Sequence, residues 1–512
     1  MLELTNLIGG RRRGAAGSIP VVDPARGDTI ALCPDSSARD IDDAVRAAAG
    51  AFAAWAGAPA AHRAALMNRL ADLIDRDAER LAHLESLNTG KPIALARAVD
   101  IPRSSDNLRF FAGAILHDHT EAFETTGAVR AGLQSAAAIN TVLRRPRGVA
   151  GLISPWNLPL YLLTWKLAPA IATGNTAVCK PSEVTPMTAD ALAGLIVEAG
   201  FPDGVINIVL GRGEPCGSAL VSHPDVPAIS FTGSTRVGQW IGSTAGAMLK
   251  RVSLELGGKN PFLIFADADL PAAARTLCRA AFTNQGQICL CASRALVHRS
   301  VFEQVRDDVV KLARELVPPG DGRWPQIDGR WPQADGRGHQ PPPIAINPQD
   351  DACRFGVLSS SAHADKVQGL IDAARSQGAT VHLGGERRGC FVPPTILSGL
   401  SPSSDIEQTE VFGPVLSMTP FDDDDEAVRL ATCTQYGLAA VVFTSSLARA
   451  HALPARLHHG IVWVNTWMSR DLRTPFGGHR HSGVGREGGA EALKFFTEPT
   501  TVCIAVDGPA RR

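Results

Sequence analysis

The hydrophobic pattern changes along the chain, and each change marks a different kind of element. From Ile41 to Asn88 the sequence is Ala-rich and its apolar residues recur at helical spacing, with Asp40 standing where an N-cap is expected. Between Val129 and Arg145 the segment "AAAINTVLRRP" runs into a proline and predicts a strand or hairpin. From Gly148 onward short apolar runs alternate with helical stretches. "GVAGLIS", "TAVCKPS", "GVINIVLG" and "AISFTGS" predict four buried strands, with helices between them at Thr188–Glu198 and Val237–Ala247. That alternation predicts a parallel, doubly wound sheet. A second α/β stretch runs from about Asn260 to Thr466. Its strands are "NPFLIF" and "ASRALVH", and its helices are Leu270–Thr283 and Val301–Glu315.

Three segments depart from these patterns. The longest apolar stretch, Gly148–Gly174, contains Pro155, Pro159, Pro169, Asn157 and Lys166, which a lipid-exposed helix does not tolerate together. Asp321–Arg337 is a tandem seven-residue repeat, "DGRWPQI DGRWPQA DGRG", followed by "HQPPPIAINP". It is rich in Gly and Pro and has no apolar period, so it reads as a surface loop insertion produced by local duplication. The acidic run Asp422–Asp425 precedes "EAVRLA" and reads as a solvated helix N-terminus.

Composition narrows the class. The chain has 512 residues, 45% hydrophobic and 20% charged, with a net charge of -1. That suits a soluble globular protein of two to three domains and gives no sign of nucleic-acid or membrane binding. Ten scattered cysteines without a CxxC pair favour reduced thiols in a cytoplasmic compartment. The N-terminus, "MLELTNLIGGRRRGAAG", has too short an apolar segment for a secretory signal.

Candidate chemistry centres on "FTNQGQICLCASR", Phe282–Arg294, which holds the thiols Cys289 and Cys291. Side chains two apart share a face in a strand and point to opposite sides of a helix, so on a helix only one thiol faces a given pocket. Glu255 lies among Val252, Leu254 and Leu256. Desolvation there raises a carboxyl toward the range of a general base, although a half-buried strand also lets a lone Glu reach solvent. Asn157, just past a strand, is placed to donate to an oxyanion, or serves only the turn before Leu-Pro. Gly211-x-Gly213 follows a strand, but Gly217 falls one residue late for the dinucleotide fingerprint. "SFTGSTRVGQWIG" ends a strand and opens a helix whose N–H groups suit a pyrophosphate.

Seven motifs occur in one order: "PWNLP" at 155–159, "KPSE" at 180–183, "FTGS" at 231–234, "LELGGKNP" at 254–261, "NQGQIC" at 284–289, "EVFGP" at 410–414 and "PFGG" at 475–478. Through them nearly the whole chain resembles the NAD(P)-dependent aldehyde dehydrogenase superfamily. The resemblance implies Cys289 as nucleophile, Glu255 as general base, and Asn157 with the backbone N–H of Cys289 as oxyanion hole. Cys291 has no family role. The implied cofactor is NAD. Its implied contacts are Ile153, Ser154, Pro155 and Trp156, then Lys180, Ser182, Glu183 and Gly213. Phe231, Gly233, Ser234, Leu256 and Gly257 follow, with Glu410 and Phe412. Glu183, closing "KPSE", favours NAD over NADP by repelling a 2′-phosphate. The segment between Leu316 and Phe355 departs from the family pattern. The histidine pairs His117/His119, His458/His459 and His479/His481 fit no metal step, and no metal is expected.

Longer segments, among them "DIPRSSDNLRFFA" at 100–112 and "WMSRDLRTPFGG" at 467–478, resemble the muconic semialdehyde dehydrogenase branch. That branch oxidises 2-aminomuconate or 2-hydroxymuconate 6-semialdehyde. The resemblance implies a substrate bearing a carboxylate, held by Arg109 and Arg470, with Asp471 and Arg473 as alternative ion-pair neighbours of the second. The expected fold is α/β, with three parts. A Rossmann-like NAD domain spans 1–122 and 145–255, and a catalytic α/β domain spans 256–465. A small β bridging element, 123–144 with 484–512, would build a homodimer or homotetramer. Betaine aldehyde and succinate semialdehyde are rival substrates, and a cation would clash with two arginines. A catalytically silent homologue is the rival of another class, opposed by the joint presence of Cys289, Glu255 and Asn157.

Overall fold

Ser37, not Asp40, occupies the N-cap of the first long helix, Ala38–Gly57. Asp40 is the third helical residue, and its carboxylate accepts from the Ser37 amide and hydroxyl, each at 2.8 Å. A carboxylate in the first turn satisfies an orphan amide and complements the helix dipole, so the acidic residue belongs one turn inside. The Ala-rich pattern then continues through two further helices, Ala60–Arg76 and Ala78–Thr89. The computed structural model describes residues 1–130, 133–317 and 346–506. The heptad repeat at Asp321–Arg337 lies outside the described residues.

All four strands predicted after Gly148 belong to one eight-stranded sheet. Its centre is five parallel strands in the order Arg251–Glu255, Ala228–Thr232, Val149–Ile153, Thr176–Lys180 and Ile206–Ile208. Thr176–Lys180 is buried at every residue, as a strand covered on both faces must be. Two antiparallel N-terminal strands, Asn6–Ile8 and Arg11–Arg13, extend one edge. The two-residue strand Gly483–Val484 closes the other edge against Leu254 and Glu255. The chain thus returns to the first sheet at the boundary of its C-terminal segment.

The second α/β stretch forms a seven-stranded sheet, parallel except for the pair Thr380–Leu383 and Thr395–Ser398. Its interior strand Asn260–Ile264 is also buried throughout. A third, antiparallel sheet joins Thr497–Ala505, Ala138–Pro146 and Ala122–Thr125 and leaves Phe123, Leu143 and Ile504 exposed. No helix among the described residues is long and apolar enough to cross a membrane.

Ligands of open parallel sheets bind beyond the carboxyl ends of the strands. Here three neighbouring strands end at Ile153, Thr232 and Glu255. The loops that follow carry Ser154–Asn157, Gly233–Ser234 and Leu256–Gly257.

Candidate active site

Cys289 sits after a turn of unusual backbone. The helix Leu270–Phe282 ends, and Asn284 (φ 51°), Gln285 (φ 53°) and Gly286 (φ 71°) follow one another in the left-handed region. For residues with a Cβ that region costs about 1–3 kcal/mol each and needs support. Gly286 is obligatory, because a Cβ there would lie 2.1 Å from the Gly413 carbonyl. Side chains hold the rest. Asn284 Nδ2 donates to the Asn157 carbonyl at 3.2 Å, and Gln287 Nε2 donates to the Asn284 carbonyl at 3.2 Å. Asn260 Nδ2 donates to the carbonyls of Cys289 (2.7 Å) and Cys291 (2.9 Å), and Trp467 Nε1 donates to that of Leu290 (3.0 Å).

Residues 289–291 are therefore neither strand nor helix. Cys289 lines a cavity of about 220 Å³, while Cys291 is buried with its thiol directed at the Thr283 carbonyl, 3.7 Å away. Burial pushes the Cys289 thiol up to about 12, the carboxylates of Glu410 and Glu255 add to this, and the Arg470 charge opposes it.

Asn157 lines the same cavity. Its Nδ2 donates to the Gln287 carbonyl at 2.8 Å, and an amide nitrogen carries a second hydrogen for the cavity. Glu255 is 2% exposed, and neither carboxylate oxygen has a hydrogen-bond partner among the described residues. Burial, then the neighbouring Glu487, raises its carboxyl well above the ordinary range, against Lys166, Arg486 and Arg470. Lys166, also buried, donates to Ser230 Oγ (2.9 Å) and Glu487 Oε1 (2.8 Å). Glu255 is thus an unbonded carboxyl at the edge of a buried polar network.

Of the expected cofactor contacts, the cavity wall includes Pro155, Trp156, Gly233, Ser234, Leu256, Gly257, Glu410 and Phe412. Ser234 caps the helix Thr235–Ala247 and so brings a helix N-terminus to the wall, where it suits an anion. Glu410 Oε1 accepts from Gly258 N at 2.9 Å, and a Cβ on Gly257 would meet its other oxygen at 2.1 Å. Phe412, at φ 57°, stands edge-on to Trp156 with ring centroids 5.2 Å apart. His363 Nε2 donates to the Phe412 carbonyl at 2.7 Å, and burial holds this imidazole neutral, down at about 4.

The remaining expected contacts lie outside that lining. Ile153 and Phe231 are paired in adjacent strands, Ser154 is buried, and Ser182 Oγ accepts from Val184 N at 3.3 Å. Glu183 pairs with Lys180 at 3.1 Å and accepts from Gly213 N at 3.2 Å. Burial pushes the Glu183 carboxyl up, but Lys180 and the backbone donors prevail and hold it below the usual range. A helix N-terminus, a partly exposed carboxylate and a cavity ending at a thiol together fit a dinucleotide.

The two expected substrate arginines do not come together. Arg109 faces the helix Ala60–Arg76, where it pairs with Asp72 (2.6 Å) and Asp75 (2.7 Å). Arg470 has its guanidinium carbon 4.3 Å from the Phe476 centroid and 5.6 Å from that of Trp165, and it donates to the Tyr161 hydroxyl at 3.3 Å. The arginine beside it is Arg103, 5.7 Å from the Tyr161 centroid and 5.9 Å from that of Trp165. Arg103 Nε and Nη2 and Arg470 Nε are buried without partners among the described residues. The reason is helical phase, since residues six apart on one helix point about 120° away from each other.

A family model described as the aldehyde dehydrogenase family matches residues 12–330 and 342–502. A 2-aminomuconic semialdehyde dehydrogenase of Danio rerio is 44% identical, with 98% of each chain covered. A 2-hydroxymuconic semialdehyde dehydrogenase of Pseudomonas sp. strain CF600 is 40% identical, covering 98% of this chain and 100% of its own. Among solved structures, the NAD+ complex of an aldehyde dehydrogenase from Bacillus cereus superposes with a TM-score of 0.88 at 35% identity. That match covers 99% of this chain and 97% of the other.

Proposed function

The chain belongs to the aldehyde dehydrogenase family, and we propose that it oxidises 2-aminomuconate 6-semialdehyde to 2-aminomuconate with NAD. Cys289 gives up its thiol proton to water, and the Sγ thiolate attacks the aldehyde carbon and gives a thiohemiacetal. Its oxyanion receives the free Asn157 amide hydrogen and the Cys289 backbone N–H. NAD, when bound, supplies the hydride acceptor. Cys289 then carries the acyl group as a thioester. Glu255 takes a proton from water, the hydroxide adds to the thioester carbon, and Cys289 leaves with the acid as product. Gly233, Ser234 and the helix N-terminus would hold the pyrophosphate. Glu183 would accept from the adenosine ribose and disfavour a 2′-phosphate, while Glu410 and Phe412 would fix the nicotinamide end.

The observation that carries the substrate is the pair Arg103 and Arg470, whose buried N–H groups lack partners around the shared rings of Tyr161 and Trp165. A carboxylate at the far end of a semialdehyde meets both guanidinium groups. The 2-hydroxy analogue is the second reading, favoured by the Pseudomonas relative. The test is NADH formation with both semialdehydes and with a neutral aldehyde of similar length. Arg103→Ala and Arg470→Ala should each lose about 2–5 kcal/mol of kcat/KM with the acids and far less with the neutral aldehyde. Arg109→Ala should change little. Equal losses on charged and neutral substrates would remove the carboxylate assignment.

The three-part division at 1–122 with 145–255, 256–465, and 123–144 with 484–512 belongs to the same proposal, supported by the separation of the eight-stranded sheet, the seven-stranded sheet and the antiparallel sheet of Thr497–Ala505, Ala138–Pro146 and Ala122–Thr125. So does assembly as a homodimer or homotetramer. Ten free cysteines support a cytoplasmic setting.

A further inference from the structure

Lys91 lies outside the cavity and outside the seven motifs, yet its side chain is fully buried. Gly90, in the left-handed conformation, ends the helix Ala78–Thr89 and sends the next residue inward. Lys91 Nζ pairs with Asp100 and donates to the backbone carbonyl of Asn157 at 3.0 Å. The Glu85 carboxylate stands 3.9 Å from the ammonium and accepts the Thr188 hydroxyl at 2.7 Å. Glu85 and Asp100 are as inaccessible as Lys91, and each keeps one oxygen without a partner among the described residues.

A buried ammonium with two carboxylates is costly to desolvate, and stability alone does not call for it. An apolar residue in its place cannot donate to the Asn157 carbonyl. That same carbonyl accepts Asn284 Nδ2, so it ties the oxyanion residue to the left-handed turn before Cys289. On the other side, Asp100 closes a π-helical turn, Ala96–Asp100, which runs straight into the helix carrying Arg103. Such turns are rare and recur at functional sites. One ammonium therefore fastens the loop of Asn157, the approach to Cys289 and the root of the Arg103 helix.

We propose that Lys91 is a positioning residue, setting the distance between the oxyanion hole and the carboxylate-binding arginine. The inference rests on the catalytic reading above. Misplacement by about 1 Å costs a reaction up to about 100-fold.

The charge-balanced variant Lys91→Met/Asp100→Asn tests it, because it leaves Glu85 to carry its own proton. With a neutral aldehyde kcat should fall roughly 10–100-fold. With a semialdehyde acid KM should rise as well. NAD affinity by fluorescence and Cys289 alkylation by iodoacetamide should stay unchanged, and Lys91→Arg should recover part of the activity. Unaltered kcat in the double variant overturns the proposal. So does a parallel loss of NAD binding, alkylation and turnover, which marks a general support of the fold. If the double variant does not fold, Lys91→Arg decides alone: its broader head must displace the Asn157 carbonyl, and wild-type kcat and KM would overturn the proposal. Wild-type protein that reduces NAD with none of the aldehydes removes the catalytic reading, and this inference with it.

Discussion

Glu255 ends a strand of apolar neighbours with both carboxylate oxygens unbonded, and its charge has to be made against burial and against Glu487. A raised carboxyl gives up its proton, and so becomes a base, at higher pH than an ordinary carboxyl does. The thioester-hydrolysis rate should therefore climb with pH above the range in which an ordinary carboxyl titrates, and stopped-flow single turnovers measure it. Glu255→Ala should give a burst of NADH followed by slow turnover, with the acyl adduct visible by intact mass. Normal turnover with no adduct excludes it as the base. At this scale the sequence was most legible where a motif names a residue that lies in the site itself. Cys289 and Asn157 were both read there, and both line one cavity. Residues that act by bonding someone else's backbone, such as Asn260 and Lys91, have no signal of spacing or type. Arg103 was within a segment already singled out, and counting helical phase between it and Arg109 would have separated them.

Elements were read well where burial writes a simple pattern. Strands covered on both faces appear as unbroken apolar runs, which is why "TAVCK" and "NPFLI" could be assigned before any tertiary contact was known. Termini were read less well, because Ser37 and Asp40 both favour a helix start and only geometry ranks them. The turn before Cys289 was the hardest. Asn and Gln do not announce a left-handed run, and it persists only because Asn157, Ser359 and Gly413 surround it. Gly286→Ala tests that dependence. The new Cβ meets a carbonyl that cannot move without the loop of Phe412, so stability should fall by about 1–3 kcal/mol in a denaturant melt. Acylation should slow by roughly 10-fold or more while NAD still binds. Full activity in this variant would show that the turn tolerates rearrangement.

For the whole molecule, the antiparallel sheet of Thr497–Ala505, Ala138–Pro146 and Ala122–Thr125 shows Phe123 (55% exposed) and Ile504 (56%) to solvent. Apolar residues on an open sheet are a ready pairing surface. Phe123→Lys/Ile504→Lys should lower the mass measured by light scattering, with Cys289 chemistry retained in whatever species remains. An unchanged mass would place the assembly surface elsewhere. The alternation of strands and helices made the first two sheets legible, whereas this one joins residues that are far apart in sequence and was expected only through the family resemblance. The same long-range closure occurs at the edge of the first sheet, where Gly483–Val484 pairs with Leu254 and Glu255. On the ribosome that partner arrives late. At ~5–20 residues per second the strand ending at Glu255 waits roughly 10–50 s for it. Until then the edge of that strand lacks its Gly483–Val484 partner and the Glu487 carboxylate that helps to raise the Glu255 carboxyl. Cys289 leaves the ribosome long before Gly477, Gly483 and Glu487, which enclose and charge the surroundings of Glu255. The thiol of Cys289 is thus made well before the residues that enclose Glu255, and the site is whole only once Gly477, Gly483 and Glu487 have followed.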